Sequence, residues 1–301
     1  MEYWLRLSKL FVVNLLVWCA VGLIFGFIVR LPYMGLIVAF VAGIAYWMAG
    51  SFISDKFAPE LYEAEILEQR SAPKLYQVVE ELSKAAGIVT PLLKYIPLKA
   101  PNAFAVGRGE DSGTIVVTNG LISELSYGEA RAVLALMVAR IKFGDAGIYG
   151  IASALAGLPL TGLCLIGSEP EALDSKDPYK STVTWLTRLR VRCLLPYSVL
   201  ILKAACSNRS IAKTDTYAVA VAGDADWAMG IGKIADGLPK NWWEAAAYQP
   251  ATALLFAVPP LPPNDPIAAP TPGWLSAIHY FPFREPAPED RFITATRSLV
   301  G

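Results

Sequence analysis

The stretch Ser126-Tyr-Gly-Glu-Ala-Arg-Ala-Val-Leu-Ala-Leu-Met-Val-Ala-Arg-Ile-Lys-Phe-Gly-Asp145 decides how this chain is read. Ser126 and Glu129 stand in S-x-x-E spacing, so side chain and backbone can satisfy each other's orphan donors at a helix start. The spacing predicts a helix from there to Phe143. Within it, Leu136 and Arg140 lie one turn apart on the same face, with Met137 beside Leu136. The whole chain holds a single histidine, His279, and it lies far from this helix in sequence.

Around that helix the composition is that of a membrane protein. The hydrophobic fraction is 54%, the charged fraction 17% and the mean hydropathy +0.43, which separates the chain from ordinary soluble domains. Net charge is zero and no basic block stands out, so no nucleic-acid footprint is present. Cys19, Cys164, Cys193 and Cys206 lack C-x-x-C spacing. They read as small buried hydrophobes rather than as a disulfide framework or a zinc knuckle.

Leu10 to Val29 carries no charge, Arg30 closes it, and Leu31 to Ile53 is again uncharged. Each run is long enough to cross a hydrocarbon core at about 1.5 Å per residue, which predicts a helical hairpin over residues 1–54. A cleaved signal peptide is disfavoured, because the first run is long and a second follows at once. Gly22 and Gly26 form a small-xxx-small pattern suited to close helix contact. A third uncharged run, Gly147 to Gly167, predicts another span; a fourth, between Arg192 and Lys203, is short and contains Pro196. Together they suggest a second membrane hairpin over about 147–206, with Ser168 to Lys180 as its loop. Arg6, Lys9 and Lys56 flank the first pair, which places the N-terminus and the polar segment on the cytoplasmic side. Arg188, Arg190 and Arg192 oppose that orientation if they precede a fourth span.

Residues 55–301 form the second expected domain. Leu75, Val78, Val79 and Leu82 recur at helical spacing before Gly87. Residues 91–97, Asn102–Val106 and Thr114–Thr118 read as strands, the last two joined by a turn-rich segment, suggesting a small antiparallel sheet.

Asn102-Ala-Phe-Ala105, Thr118-Asn-Gly-Leu121 and the Ser126–Asp145 helix, in that order, resemble the HtpX-type membrane zinc metalloproteases. Arg284-Glu-Pro-Ala-Pro-Glu-Asp-Arg291 is similar to the family's closing T-H-P-P-x-E-x-R segment, so the resemblance covers nearly the whole chain. It implies an α+β membrane protein with an N-terminal transmembrane hairpin and a mostly helical protease-like domain. The second membrane hairpin is then inserted between the two helices of the zinc site. In that family the helix reads H-E-x-x-H, two imidazoles holding zinc beside a general base. Those positions are Leu136, Met137 and Arg140 here. The later E-x-x-x-D pattern, which supplies the third ligand, is matched by Ile211 and Asp215. Neither zinc nor another cofactor is expected at such a set.

Asp145 and Asp215 invite a two-acid or relocated-metal alternative, but structural acids are favoured. No G-x-S-x-G elbow is present, and one distant histidine makes a Ser-His or Cys-His pair implausible. His279 reads as a packed or capping residue. Residues 258–288 contain ten prolines, which suits an extended wrap, a linker or a polyproline II recognition segment. Trp242, Trp243 and Trp274 suit a membrane interface or ordinary core equally.

The expectation from these losses is an inactive protease relative, not an enzyme, serving as a structural, assembly or regulatory subunit of a membrane complex. Its partners would be the bilayer and other membrane proteins, met through Gly22, Gly26, Gly43 and Ala152 or through residues 258–288. Asn102, Ala103, Phe104 and Ala105 would keep a peptide-binding strand edge. The alternatives are a membrane-bound peptidase or hydrolase with a rebuilt, zinc-free site, and a factor that holds membrane-protein clients.

Overall fold

The computed structural model describes residues 2–109, 111–161, 197–238 and 250–259. Expectations for the 168–180 loop, Trp242, Trp243, Trp274, His279 and the 284–291 segment lie outside the described residues, as does nearly all of the 258–288 stretch.

Two helices open the chain, α1 (Glu2–Ile28) and α2 (Pro32–Ile53), joined by a tight turn with Arg30 at φ 61. Both are long and apolar enough to cross a membrane. They expose Val21, Ile24, Phe25, Ile37, Val38 and Val41, the pattern of helices whose solvent is lipid. Their mutual contact is made by small residues. A Cβ on Gly22 would stand 2.1 Å from the Ala39 Cβ, and one on Gly43 would stand 3.0 Å from the Trp18 Cβ. Gly22, Gly26 and Gly43 therefore face this chain's own hairpin, and Ala152 is buried in its core. All four residues pack within this chain.

Asn14 and Tyr46 of the hairpin are likewise paired inside the chain. Asn14 donates to the Gly43 carbonyl at 3.0 Å and accepts from Tyr197 at 3.0 Å. Tyr46 donates to the Leu155 carbonyl at 2.6 Å. Such bonds satisfy groups that hydrocarbon would leave orphaned.

After α3 (Phe57–Leu61) come β1 (Glu65–Ile66), α4 (Pro73–Ala86), β2 (Leu92–Ile96), β3 (Ala103–Gly107) and β4 (Gly113–Thr118). The sheet order is β1-β2-β4-β3. β3 and β4 are antiparallel and β2 and β4 are parallel, so the sheet is mixed rather than antiparallel throughout. The reason is local. Residues 97–102 turn the chain so that β3 runs against β2, and the hairpin then returns β4 into the gap between them. β4 must therefore run in the direction of β2.

Side chains alternate across this sheet. Ala103, Ala105, Ile115 and Val117 join one buried cluster with α4 and α6, while Phe104, Val106 and Val116 join another with α7. Both faces are covered, so β3 and β4 are almost continuously buried.

Helix α5 (Asn119–Glu124) is capped by Thr118, whose hydroxyl accepts from the Leu121 amide at 3.1 Å. Helix α6 (Tyr127–Lys142) starts in the expected Ser126/Glu129 capping box and is buried along most of its length. Helix α7 (Asp145–Thr161) is the described part of the third uncharged run, and Ile148, Tyr149, Ala152, Leu155 and Ala156 are buried within the protein. The rest of that run is outside the described residues. Helical residues 197–205 (α8), α9 (Asn208–Ala222), α10 (Asp224–Gly237) and a 3-10 turn (Pro250–Leu255) complete the described fold.

Candidate functional site

Helix α6 brings Leu136, Met137 and Arg140 into the core, all at most 2% exposed. Helix α9 packs against α6 and carries Ile211 and Asp215, both buried. The family resemblance implies zinc at this place, so the donors decide whether the ion fits. Zinc takes imidazole nitrogen, thiolate or carboxylate oxygen. Leucine and isoleucine offer no lone pair, one thioether is a poor ligand, and a guanidinium repels a cation. Among the described residues no group of three or more His, Cys, Asp or Glu side chains lies together. The residues do not fit zinc.

Arg140 has a different use. Its Nη1 donates to the carbonyls of Leu255 and Phe256, each at 2.7 Å, and of Leu254 at 3.3 Å. An ion pair with Asp215 is the simpler expectation for two charges facing across α6 and α9. The ion pairs among the described residues do not include it. The carbonyls win because three converge on one guanidinium nitrogen, each strengthened by its charge.

The same segment covers the edge of β3. Phe256 bridges Phe104 in antiparallel fashion, and the Ala257 amide donates to the Ala103 carbonyl at 2.7 Å. Asn102 extends the ladder with its side chain, donating to the Val258 carbonyl at 2.8 Å and accepting from the Val258 amide at 3.4 Å. Asn102 is itself fixed by Thr118, whose hydroxyl accepts from its amide at 2.8 Å. Aromatic rings close the far side: Phe256 meets Phe104 at 5.0 Å and Tyr62 at 5.8 Å between centroids. Asn102, Ala103 and Phe104 thus hold the main chain of residues 256–258, supplied by the protein itself.

A second buried polar group lies behind Arg140. Tyr149 sits under both Arg140 (5.8 Å) and Arg6 (5.5 Å). Arg6 bonds to Asp145, to the Ser210 hydroxyl at 2.7 Å and to the Ala205 carbonyl at 3.0 Å. Ser210 donates to Asp145, with oxygen separations of 2.6 and 2.8 Å. With its carboxylate occupied by arginine and serine, Asp145 anchors helices as a structural acid. Sequence reasoning missed Arg6, Tyr149 and Ser210. An arginine four residues before an uncharged run was the signal available, and it served only to orient the hairpin.

Residues 69–225 match the family model described as Peptidase family M48. A "Protease HtpX homolog" of Syntrophobacter fumaroxidans is 32% identical over 230 residues, 75% of this chain and 81% of the relative. One of Paraburkholderia phytofirmans is 28% identical over 231 residues, 75% of this chain and 79% of the relative. One of Thermococcus sibiricus is 35% identical over 156 residues, 51% of each. No solved structure matches the chain significantly. These matches overturn the expectation of an inactive, non-enzymatic complex subunit, since the relatives are named as proteases and the matched family is one of peptidases. The chain belongs to peptidase family M48.

Proposed function

We propose that this chain is a membrane-bound peptidase that aligns an extended polypeptide along β3 and works without zinc at positions 136, 137, 140 and 211. One observation carries it: a main chain lies paired on the β3 edge, against the buried helix that the peptidase family matches. Main-chain pairing gives affinity that does not depend on sequence, as an enzyme acting on many polypeptides requires. The two apolar helices at the N-terminus serve as its anchor, and the domain from residue 55 faces the cytoplasm, following the cations at Arg6, Lys9 and Lys56.

The test is cleavage of an unfolded protein, such as casein, by the full chain purified in mild detergent. Peptide bonds should be cut at the same rate with and without a strong zinc chelator. Absence of cleavage overturns the peptidase assignment. Loss of cleavage on chelation, restored by zinc, overturns the zinc-free site.

A further inference from the structure

We propose that the cleft where α1, α6, α7 and the β3–β4 turn meet is a binding site for the headgroup of one anionic phospholipid, with Lys142 and Arg108 as its phosphate ligands. The site rests on the cytoplasmic placement of the domain and is independent of peptidase activity.

Its level along the membrane helices comes first. The cleft has a volume of about 390 Å³ and is lined by Tyr3, Trp4, Arg108, Lys142 and Phe143, with glycines from both turns. Trp4 precedes Leu10, where the charge-free run of α1 begins, by six residues, or about 9 Å along a helix axis. The polar layer on each side of a hydrocarbon core is about 5–8 Å deep. Arg108 reaches the second membrane helix at the same level. Its Nη2 donates to the Phe52 carbonyl and, at 2.8 Å, to Asp55, and its guanidinium lies over the Phe52 ring at 5.2 Å. The cleft therefore opens at the height of lipid headgroups, where an exposed tryptophan such as Trp4 is favoured.

Charge comes second. No acidic side chain is among the described residues that line the cleft. Asp145, beside the lining residues Gly144 and Ala146, is buried and held by Arg6 and Ser210. Lys142 makes no ion pair among the described residues, and its ammonium lies over the Tyr217 ring at 5.0 Å. The side-chain bonds of Arg108 all leave from Nη2, so Nη1 and Nε keep donors for an incoming oxygen. Lys213 adds a third cation at the rim, over Phe143 at 3.9 Å. A basic pocket at the cytoplasmic end of membrane helices matches an anionic headgroup in charge, and the attached acyl chains keep that headgroup at this depth.

The experiment uses the full chain in a neutral mild detergent, titrated with phosphatidylglycerol or phosphatidylcholine. Native mass spectrometry counts the lipids retained per protein. The wild-type chain should retain one phosphatidylglycerol in preference to phosphatidylcholine. Lys142→Gln should weaken that retention about fivefold, the factor for one cation at an anionic surface, and Lys142→Arg should retain the lipid as wild type does. Lys9→Gln removes an exposed cation of α1 that does not line the cleft, and it should change nothing. Melting temperatures in detergent identify any variant that has unfolded. Equal retention of the two lipids by the wild-type chain overturns the proposal without recourse to a variant. Equal weakening by Lys9→Gln and Lys142→Gln also overturns it, since the attraction is then diffuse. Displacement of the lipid by an equal concentration of inorganic phosphate would assign the site to a soluble anion and end the lipid reading. Casein cleavage is a separate measurement, and its absence would leave each of these outcomes unchanged.

Discussion

Arg6, in the first turns of α1, is buried against Asp145, the first residue of α7, and the two form an ion pair shared with Ser210 of α9. One arginine thus ties the N-terminal helix to both helices that flank the candidate site. Replacing Arg6 by methionine strands a buried carboxylate, and the cost should be about 3–5 kcal/mol, as for other buried pairs broken on one side. Thermal unfolding in detergent measures it. The double change Arg6→Met/Asp145→Asn should recover part of the loss, because no unpaired charge then remains.

Glu129 gives the fold a pH dependence of known sign. Burial pushes its carboxyl up, but hydrogen bonds from Lys233 and from the Ser126 amide outweigh that and hold it below the ordinary glutamate range. A carboxyl depressed in the folded state contributes stability above its unfolded pKa and loses it as pH falls through the folded value. Stability should therefore drop on acidification below the ordinary glutamate range, and Glu129→Gln should flatten that part of the curve. The same substitution should cost about 1 kcal/mol at neutral pH through the weakened cap. Urea unfolding at a series of pH values checks both.

The hairpin tests what the small residues do. A side chain on Gly22 would meet Ala39 and the Gly35 carbonyl oxygen at 2.1 and 2.5 Å. Gly22→Leu should thus force α1 and α2 apart and destabilise the chain by about 1–3 kcal/mol, the range for overpacked sites. Val21→Leu, one position along on the exposed face, should be neutral. Comparing detergent melting temperatures of the two variants distinguishes internal packing from a partner-facing surface.

Much of this was legible in the chain. The apolar runs gave both N-terminal helices, and Ser126 with Glu129 gave the start of α6, because each signal is local. The sheet was half legible. Strand positions follow from β-branched runs, but the parallel pairing of β2 with β4 depends on which gap the returning strand enters, and no residue spacing encodes that. The site was least legible. Leu136, Met137, Arg140 and Ile211 announce a lost metal, yet nothing near Arg140 in sequence names Leu254 to Phe256 as its partners, more than a hundred residues on. Arg6 was read as a topology signal because a charge beside an apolar run has two uses, and only the fold brings Asp145 to it.

The donor set at positions 136, 137, 140 and 211 makes a metal prediction. Protein purified and equilibrated with excess zinc, then desalted, should retain well under one equivalent, since those side chains supply no imidazole, thiolate or carboxylate. Elemental analysis reads the content directly. Near-stoichiometric zinc that is lost in an Arg140→Ala variant would contradict it.

Arg140 itself offers the sharpest contrast, because its role depends on geometry as well as charge. The guanidinium is almost wholly buried and satisfies three carbonyls from one nitrogen while lying over Tyr149. Arg140→Met keeps the apolar stem but removes the charged donor from those carbonyls, so the loss should be about 3 kcal/mol, the upper end for one unsatisfied buried group. Arg140→Lys keeps three donors and the charge, though as a compact ammonium without the planar stack on Tyr149. It should cost about half as much. The damage should also be local, loosening residues 254–258 from β3 before the core of α4, α6 and the sheet yields. Amide hydrogen exchange resolves the two: faster exchange at Ala257 with the β3–β4 amides still protected fits a local hold of Arg140 on this segment. Uniform loss of protection across the domain would mean that Arg140 holds the whole core and has no particular hold on the edge segment.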